Sequence, residues 1–322
     1  MQRDDDVTEW LLAGDPAIRW QVLRDLTAAS EQEVAAERAL VATSGWAQRL
    51  LDLQEDGQWA GGACFPGTGW RPPGPVVGDP EAQPWVATLP TLRLLRDCGV
   101  DPADPAVRTA VEGVRDHCRW EYAGEPFFEG EVEPCINGGA VAIGAYFGQD
   151  VEGTVTRLLG EQLEDGGWNC EVENGSTRSS FHTTICVLDG LLEYERAGGS
   201  QAVAAARQGG EEYLLRRGLF RRASTGEVVD PAWLQFSFPP QWHYDVLRGL
   251  DYFRAVGGTP DPRLAEAADL VRDRRQPDGT WLQENTHPGL IHFELEEGDG
   301  APSRWNTLRA LRSLRWHDAQ DS

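Results

Sequence analysis

QEDGQW (Gln54 to Trp59), QLEDGGW (Gln162 to Trp168) and QPDGTW (Gln276 to Trp281) are three copies of one phrase, a Gln followed by an acid, a Gly and a Trp. Their first residues stand 108 and 114 positions apart, twice a step of about 55, a length that marks structural repeats. Weaker half-steps lie between them, HCRWEYAGEPFFEG (His117 to Gly130) and RRGLFRRASTGE (Arg216 to Glu227). Each phrase is followed by a polar, Gly/Pro-rich loop and then by an apolar segment with helical spacing, starting near Pro84, Pro134, Ser180, Gln241 and Ser303. Before each lies another helical stretch, such as EVAAERALVATSGWAQRLLDL (Glu33 to Leu53) or PRLAEAADLVRDRR (Pro262 to Arg275), with charges between apolar residues three and four apart. The unit is therefore helix, turn, helix. Alternating β-branched runs are short, and helix-start signals such as Gly14-Asp15-Pro16 recur, so the pattern predicts an all-α chain of five or six hairpins. Such hairpins either stack as a solenoid or close into a ring, and periodicity leaves both open. Within the phrase, Gln reaches backbone groups of a neighbouring turn, Gly permits a tight path, and Trp packs across the junction with its indole N–H satisfied.

Composition sets the outer limits. The chain has 322 residues, 40% hydrophobic and 25% charged, enough to bury a substantial core. A formal charge of -23 repels phosphate backbones, which excludes nucleic acid as a partner. All 29 basic residues are Arg, which removes lysine-based Schiff-base chemistry and the phosphate-loop lysine. No apolar run reaches about 18 residues and MQRDDDVTEWLLAG has no leader pattern, so the expectation is a cytoplasmic protein without a transmembrane segment. Asp4, Asp5 and Asp6 are expected to form a solvated charge run in a terminal tail. Six scattered Cys in so long a chain are expected to be reduced thiols.

The Gln-to-Trp phrase at these intervals resembles the repeat of the squalene, hopene and oxidosqualene cyclases, and of the protein prenyltransferase β subunits that share their α/α toroid. The resemblance runs from about Gly45 to Trp316 and implies a single domain over residues 1–322, a ring of inner helices inside outer ones around an aromatic-lined cavity. There is length for one toroid, and neither the DxDD motif that protonates an alkene nor a DDxxD run for metal-bound diphosphate is present.

Locally, GGWNCEVENGSTRSSFHTTICVLDGL (Gly166 to Leu191) looks like the prenyltransferase segment that carries a zinc-binding His, which places His182 at that position. EVEPCINGG (Glu131 to Gly139) falls where those enzymes have Asp-x-Cys, so Glu133 and Cys135 stand in for a carboxylate and a thiolate. Counting back from Gly144 instead moves Cys135 to the Asp position and Asn137 to the Cys position, and Cys135 alone is common to both alignments. Cys135, Cys170 and His182 in two adjacent repeats form a soft set suited to a zinc cofactor with an open position. Buried structural thiols and a helix-capping His would give the same residues without a metal.

His243 and Asp245, at the entrance to the fourth inner helix, are the candidate cavity base and acid, with wall packing and capping as the plain alternative. Asn285 to Pro288 and Ile291 to Glu294 lie in the last long loop, expected to act as a lid. Trp85, Phe181, Trp242, Tyr244 and Trp305 begin inner helices and would present aromatic faces to an apolar polyene. Arg178 and Arg304, with the helix N-termini, would complete an anion site for an isoprenoid diphosphate. The expected function is therefore an isoprenoid cyclase or prenyl-transfer homologue acting on a hydrophobic small molecule. One alternative is a lipid-binding or interaction toroid without chemistry. Another is a carbohydrate-active toroid, for which Glu133 with Asp245, or Glu171 with Glu173, are the candidate acid pairs.

Overall fold

A computed structural model of the chain describes residues 2–319. The fold is all-α. In chain order the helices are α1 (Gln2–Leu12), α2 (Pro16–Leu26), α3 (Glu31–Arg38), α4 (Gly45–Leu51), α5 (Thr88–Cys98), α6 (Pro105–His117), α7 (Pro134–Tyr146), α8 (Glu152–Gly160), α9 (Phe181–Arg196), α10 (Gln201–Leu215), α11 (Val246–Val256), α12 (Ala265–Asp273) and α13 (Arg304–Asp318). Strand is limited among the described residues to two antiparallel ladders of two residues each: β1 (Val77–Gly78) on β3 (Leu290–Ile291), and β2 (Trp281–Leu282) on β4 (Pro302–Ser303).

The five apolar segments read from the sequence become α5, α7, α9, α11 and α13. Ser180, Asp245 and Ser303 cap three of these with side-chain oxygens on backbone N–H groups, and Pro134 occupies the first turn of α7. The stretch from Glu33 to Leu53, read as one helix, is two: a turn over residues 39–44 separates α3 from α4, and Gly45, whose φ of 74° lies in the left-handed region, opens the second. The N-terminal acids belong to helix α1 rather than to a tail; Asp5 and Asp6 are exposed, and the side chain of Asp4 lies outside the described residues.

The chain forms two compact units, one of Met1–Leu40, Leu214–His287 and Leu295–Ser322, the other of Val41–Tyr213 and Pro288–Glu294. In the first, α13 packs on α11, α12 and α2. A buried ion cluster ties three of these helices together: Arg312 of α13 bonds Asp251 of α11 at 2.8 Å and lies 3.5 Å from Asp25 of α2. Arg315 also donates to the carbonyl of Leu26 at 2.6 Å.

In the second unit α7 and α9 make the closest helix pair. A Cβ on Gly138 would stand 2.4 Å from the carbonyl oxygen of Cys186, and one on Gly190 would stand 2.5 Å from that of Gly138. Only residues without a side chain let the two backbones approach this far, which accounts for Gly at 138 and 190.

The repeated phrase has one chemistry in all three copies. The indole N–H of Trp59, Trp168 and Trp281 donates to the carbonyls of Leu50, Leu158 and Val271, in the last turns of α4, α8 and α12, at 2.6, 2.7 and 2.7 Å. Carbonyls there have no partner within the helix, so the Trp closes the helix end. The backbone N–H of each Trp donates to a hydroxyl of the helix that follows, Thr88, Thr184 and Thr307, at 3.1, 3.1 and 2.9 Å. Gln54 and Gln162 reach forward to the carbonyls of Ala110 in α6 and Ala206 in α10, both at 2.8 Å, while Gln276 bonds locally to Arg274.

Candidate functional site

The approach of α7 to α9 places the start of α7 beside the loop that precedes α9. Glu133 is the residue before α7 and Cys135 lies in its first turn; Cys170 opens a single 3-10 turn, Cys170–Val172, immediately after the phrase that ends in Trp168. The ligand atoms of Glu133, Cys135 and Cys170 all lie within 4.8 Å of one another. Cys135 and Cys170 are half-buried, and Glu133 is exposed.

Hydrogen bonds order this group. The Cys135 thiol lies 3.5 Å from Glu133 Oε2 as donor to acceptor, and the Thr183 hydroxyl donates to Cys170 Sγ at 3.5 Å. Donation from Cys135 holds the Cys170 thiol below its ordinary value against the effect of burial, with Thr183 adding in the same sense. The same bond, then burial, pushes the Cys135 thiol up. Of the two sulfurs, Cys170 is thus the one whose thiolate form is favoured.

Asn137 is not in this group. Its side-chain oxygen accepts from the Glu131 N–H at 2.6 Å and its amide donates to the Glu131 carbonyl at 2.7 Å, closing the turn that carries Glu133 and Cys135. Of the two alignments the sequence allowed, the structure therefore brings together the donors of the first, Glu133 and Cys135. His182 is also outside the group of three, although it lies near the start of α9; Glu133 holds the third place. Two sulfurs and one carboxylate within a sphere of that size suit zinc, whose ligand atoms stand about 3.3–3.8 Å apart when bonds are about 2.0–2.3 Å.

The remaining candidates stand as follows. Asp245 is buried; its carboxylate caps α11 by accepting from the Arg248 N–H at 2.7 Å. Burial pushes this carboxyl up from its ordinary range, against the nearby Arg309 and Arg248. His243 is stacked between Trp242 and His287, with ring centroids 3.7 and 3.6 Å away. His287 in turn bonds the Ser237 hydroxyl at 3.1 Å. Trp242 is 38% exposed, whereas Trp85, Phe181, Tyr244 and Trp305 are buried at their helix starts.

Each buried aromatic has a specific neighbour. Trp85 donates to the Pro288 carbonyl at 3.1 Å, Phe181 meets Tyr213 edge-on at 5.4 Å, Tyr244 donates to the Leu219 carbonyl at 2.7 Å, and Trp305 stacks on Phe238 at 4.1 Å. Arg304 lies over the Trp10 ring at 4.5 Å. Arg178 is exposed. Glu171 and Glu173 are both exposed on the turn after Cys170. The segment Pro288–Glu294 is pinned rather than free to lift: β3 pairs with β1, and the Trp85 N–H donates to the Leu290 carbonyl at 2.7 Å.

Sequence reasoning kept Glu133 as a ligand in only one of two alignments and missed the Thr hydroxyls that receive the Trp backbones. The three Thr stand 29, 16 and 26 residues beyond their Trp, an irregular spacing that hides the pairing.

Comparison with known proteins gives no match to any protein-family model and no match among curated proteins. Among solved structures the chain is similar to a protein from Actinoplanes, at TM-score 0.44 and 16% identity, covering 94% of this chain and 90% of the other. It is similar also to two variants of the type II terpene cyclase MstE from Scytonema in complex with its substrate geranylgeranyl dihydroxybenzoate. These stand at TM-scores 0.42 and 0.40 and 14% identity, covering 94% and 93% of this chain and 87% and 84% of theirs.

Proposed function

We propose that this chain is an isoprenoid-type enzyme, a cyclase or prenyl-transfer homologue acting on a hydrophobic chain, assisted by zinc held by Glu133, Cys135 and Cys170. The observation that carries the reading is the convergence of those three ligand atoms within 4.8 Å at the first turn of α7. When bound, zinc supplies a Lewis acid that lowers the pKa of a coordinated thiol or water. The chain's own residues favour the thiolate at Cys170, where the Thr183 hydroxyl donates to Sγ, while the Cys135 thiol, hydrogen-bonded to the Glu133 carboxylate, would give up its proton when the metal binds. The repeat grammar supports the isoprenoid assignment.

Elemental analysis of the purified protein, with calorimetry against farnesyl diphosphate, farnesol and an oligosaccharide, tests this. Stoichiometric zinc that disappears in Cys135→Ala and Cys170→Ala and persists in His182→Ala is the expected result. Native protein without zinc, or zinc retained in both Cys variants, would refute the metal assignment. Oligosaccharide binding with no response to either isoprenoid would move the protein to the carbohydrate class. A second reading, a lipid carrier without chemistry, is favoured by Asp245, whose carboxylate is engaged as a helix cap; isoprenoid binding by a zinc-free protein would select it.

A further inference from the structure

The second unit contains a cavity of about 500 Å³, within the range of small-molecule sites, that is separate in its lining from Glu133, Cys135 and Cys170. It lies between the end of α4, the Pro-rich loop Trp70 to Val77 and the pinned segment Ile291 to Phe293. Most of its wall is apolar, with Trp70, three prolines, Leu53, Val86 and Ile291. Three polar side chains reach it: Arg49, Asp52 and His292.

His292 defines what the cavity takes. Its Nε2 lies 2.9 Å from the Thr91 hydroxyl, and that hydroxyl donates its one proton to the Ala87 carbonyl at 2.8 Å, one turn back in α5. With the hydroxyl donating to Ala87, the Thr91 oxygen accepts from Nε2–H, the tautomer that leaves Nδ1 a bare acceptor. Burial holds His292 down to about 4, so the ring is neutral near pH 7. Nδ1 has no partner among the described residues and is not closed off from its surroundings, in a side chain that forms the cavity wall. The mainly apolar wall thus presents an imidazole acceptor, with the Asp52 carboxylate at its exposed side.

Charge narrows the class further. The Arg49 guanidinium lies over the Phe293 ring, 3.6 Å from its centroid, with no carboxylate or carbonyl partner among the described residues. That cation disfavours a cationic ligand. Asp52 in the same wall, the bare imidazole acceptor and the net charge of -23 disfavour an anionic one.

From these contacts we infer that the cavity is a binding site for a neutral, mainly apolar molecule bearing a hydroxyl group, whose O–H donates to His292 Nδ1 while its body packs on Trp70, the prolines and Ile291. Phenols and alkyl or prenyl alcohols share this chemistry. The inference does not rest on the zinc assignment.

Titration calorimetry on the full chain with geraniol, 4-isopropylphenol and the hydroxyl-free 4-isopropyltoluene tests it. Saturable binding of at least one hydroxyl compound, about tenfold or more tighter than the hydrocarbon, is expected, since a buried acceptor left unpaired penalises the hydrocarbon. The tighter of the two hydroxyl ligands identifies the source. His292→Leu should remove that preference and His292→Gln, which keeps an acceptor, should restore part of it, while Trp70→Ala should weaken all three ligands. Equal binding of hydrocarbon and hydroxyl compounds by the unaltered protein, or no saturation by either hydroxyl compound, would overturn the inference whatever the variants do.

Discussion

Replacing Trp168 by Phe tests whether the repeated phrase holds the fold as its geometry indicates. Trp168 is fully buried, and its indole N–H donates at 2.7 Å to the Leu158 carbonyl near the end of α8. Without that donor the carbonyl keeps only a long bond from the Glu161 N–H at 3.3 Å. The loss of a buried hydrogen bond costs about 1–2 kcal/mol. The missing part of the ring leaves a void of roughly 40 Å³, which at about 24 cal/mol per Å³ adds about 1 kcal/mol. A total of about 2–3 kcal/mol corresponds to a fall in Tm of roughly 3–5 °C for a chain of this size. Trp59 and Trp281 repeat the geometry, so Trp59→Phe and Trp281→Phe should lower Tm by similar amounts. Trp242, 38% exposed and outside the phrase, is the control, and Trp242→Phe should shift Tm by no more than about 2 °C. Far-UV circular dichroism during heating measures all four. If Trp168→Phe melts within a degree of the parent, or Trp242→Phe loses as much, the phrase is not the structural closure described here.

Acid should destabilise the first unit through Asp251. Arg312, Arg254 and Arg309 overcome the effect of burial and hold its carboxyl well below the ordinary range, so the stabilisation is full above the unfolded value near 4 and is lost as pH falls below it. Unfolding followed from pH 6 to pH 3 should show this loss, and Asp251→Asn should flatten it while lowering stability at pH 7 by about 3–5 kcal/mol, because the Arg312 charge is left buried; an unchanged pH profile in the variant would refute the assignment. Gly138→Ala puts a methyl 2.4 Å from the Cys186 carbonyl and should cost about 1–3 kcal/mol in chemical denaturation, a clash that a wild-type midpoint would disprove. Thr184→Val, which keeps the shape but removes the acceptor of the Trp168 N–H, should cost about 1–3 kcal/mol, whereas Thr177→Val on the exposed loop should be neutral in the same melt. The single-domain expectation is checked by limited proteolysis: one resistant species is expected, and two separately folded fragments would overturn it.

The helical class and the starts of α7, α9, α11 and α13 were legible from the sequence because both are written locally. Apolar spacing of three and four residues specifies a buried helix face, and Ser180, Asp245 and Ser303 act on backbone groups within three residues of themselves. The repeat was legible too, since the same Gly and Trp solve the same helix-end problem three times. Which donors converge was not legible. Glu133 and Cys170 are 37 residues apart, and their proximity follows from the Gly138 and Gly190 contact that draws α7 onto α9. The role of Asn137 as a turn lock, which separates the two alignments, is likewise a matter of where its amide points. The character of His292 lies furthest from the sequence: its charge and tautomer are set by burial and by Thr91, 201 residues away, and long-range packing alone brings that pair together. Local propensity acts over a few residues and can be read in one dimension, whereas desolvation and donor geometry depend on neighbours that only the folded chain supplies.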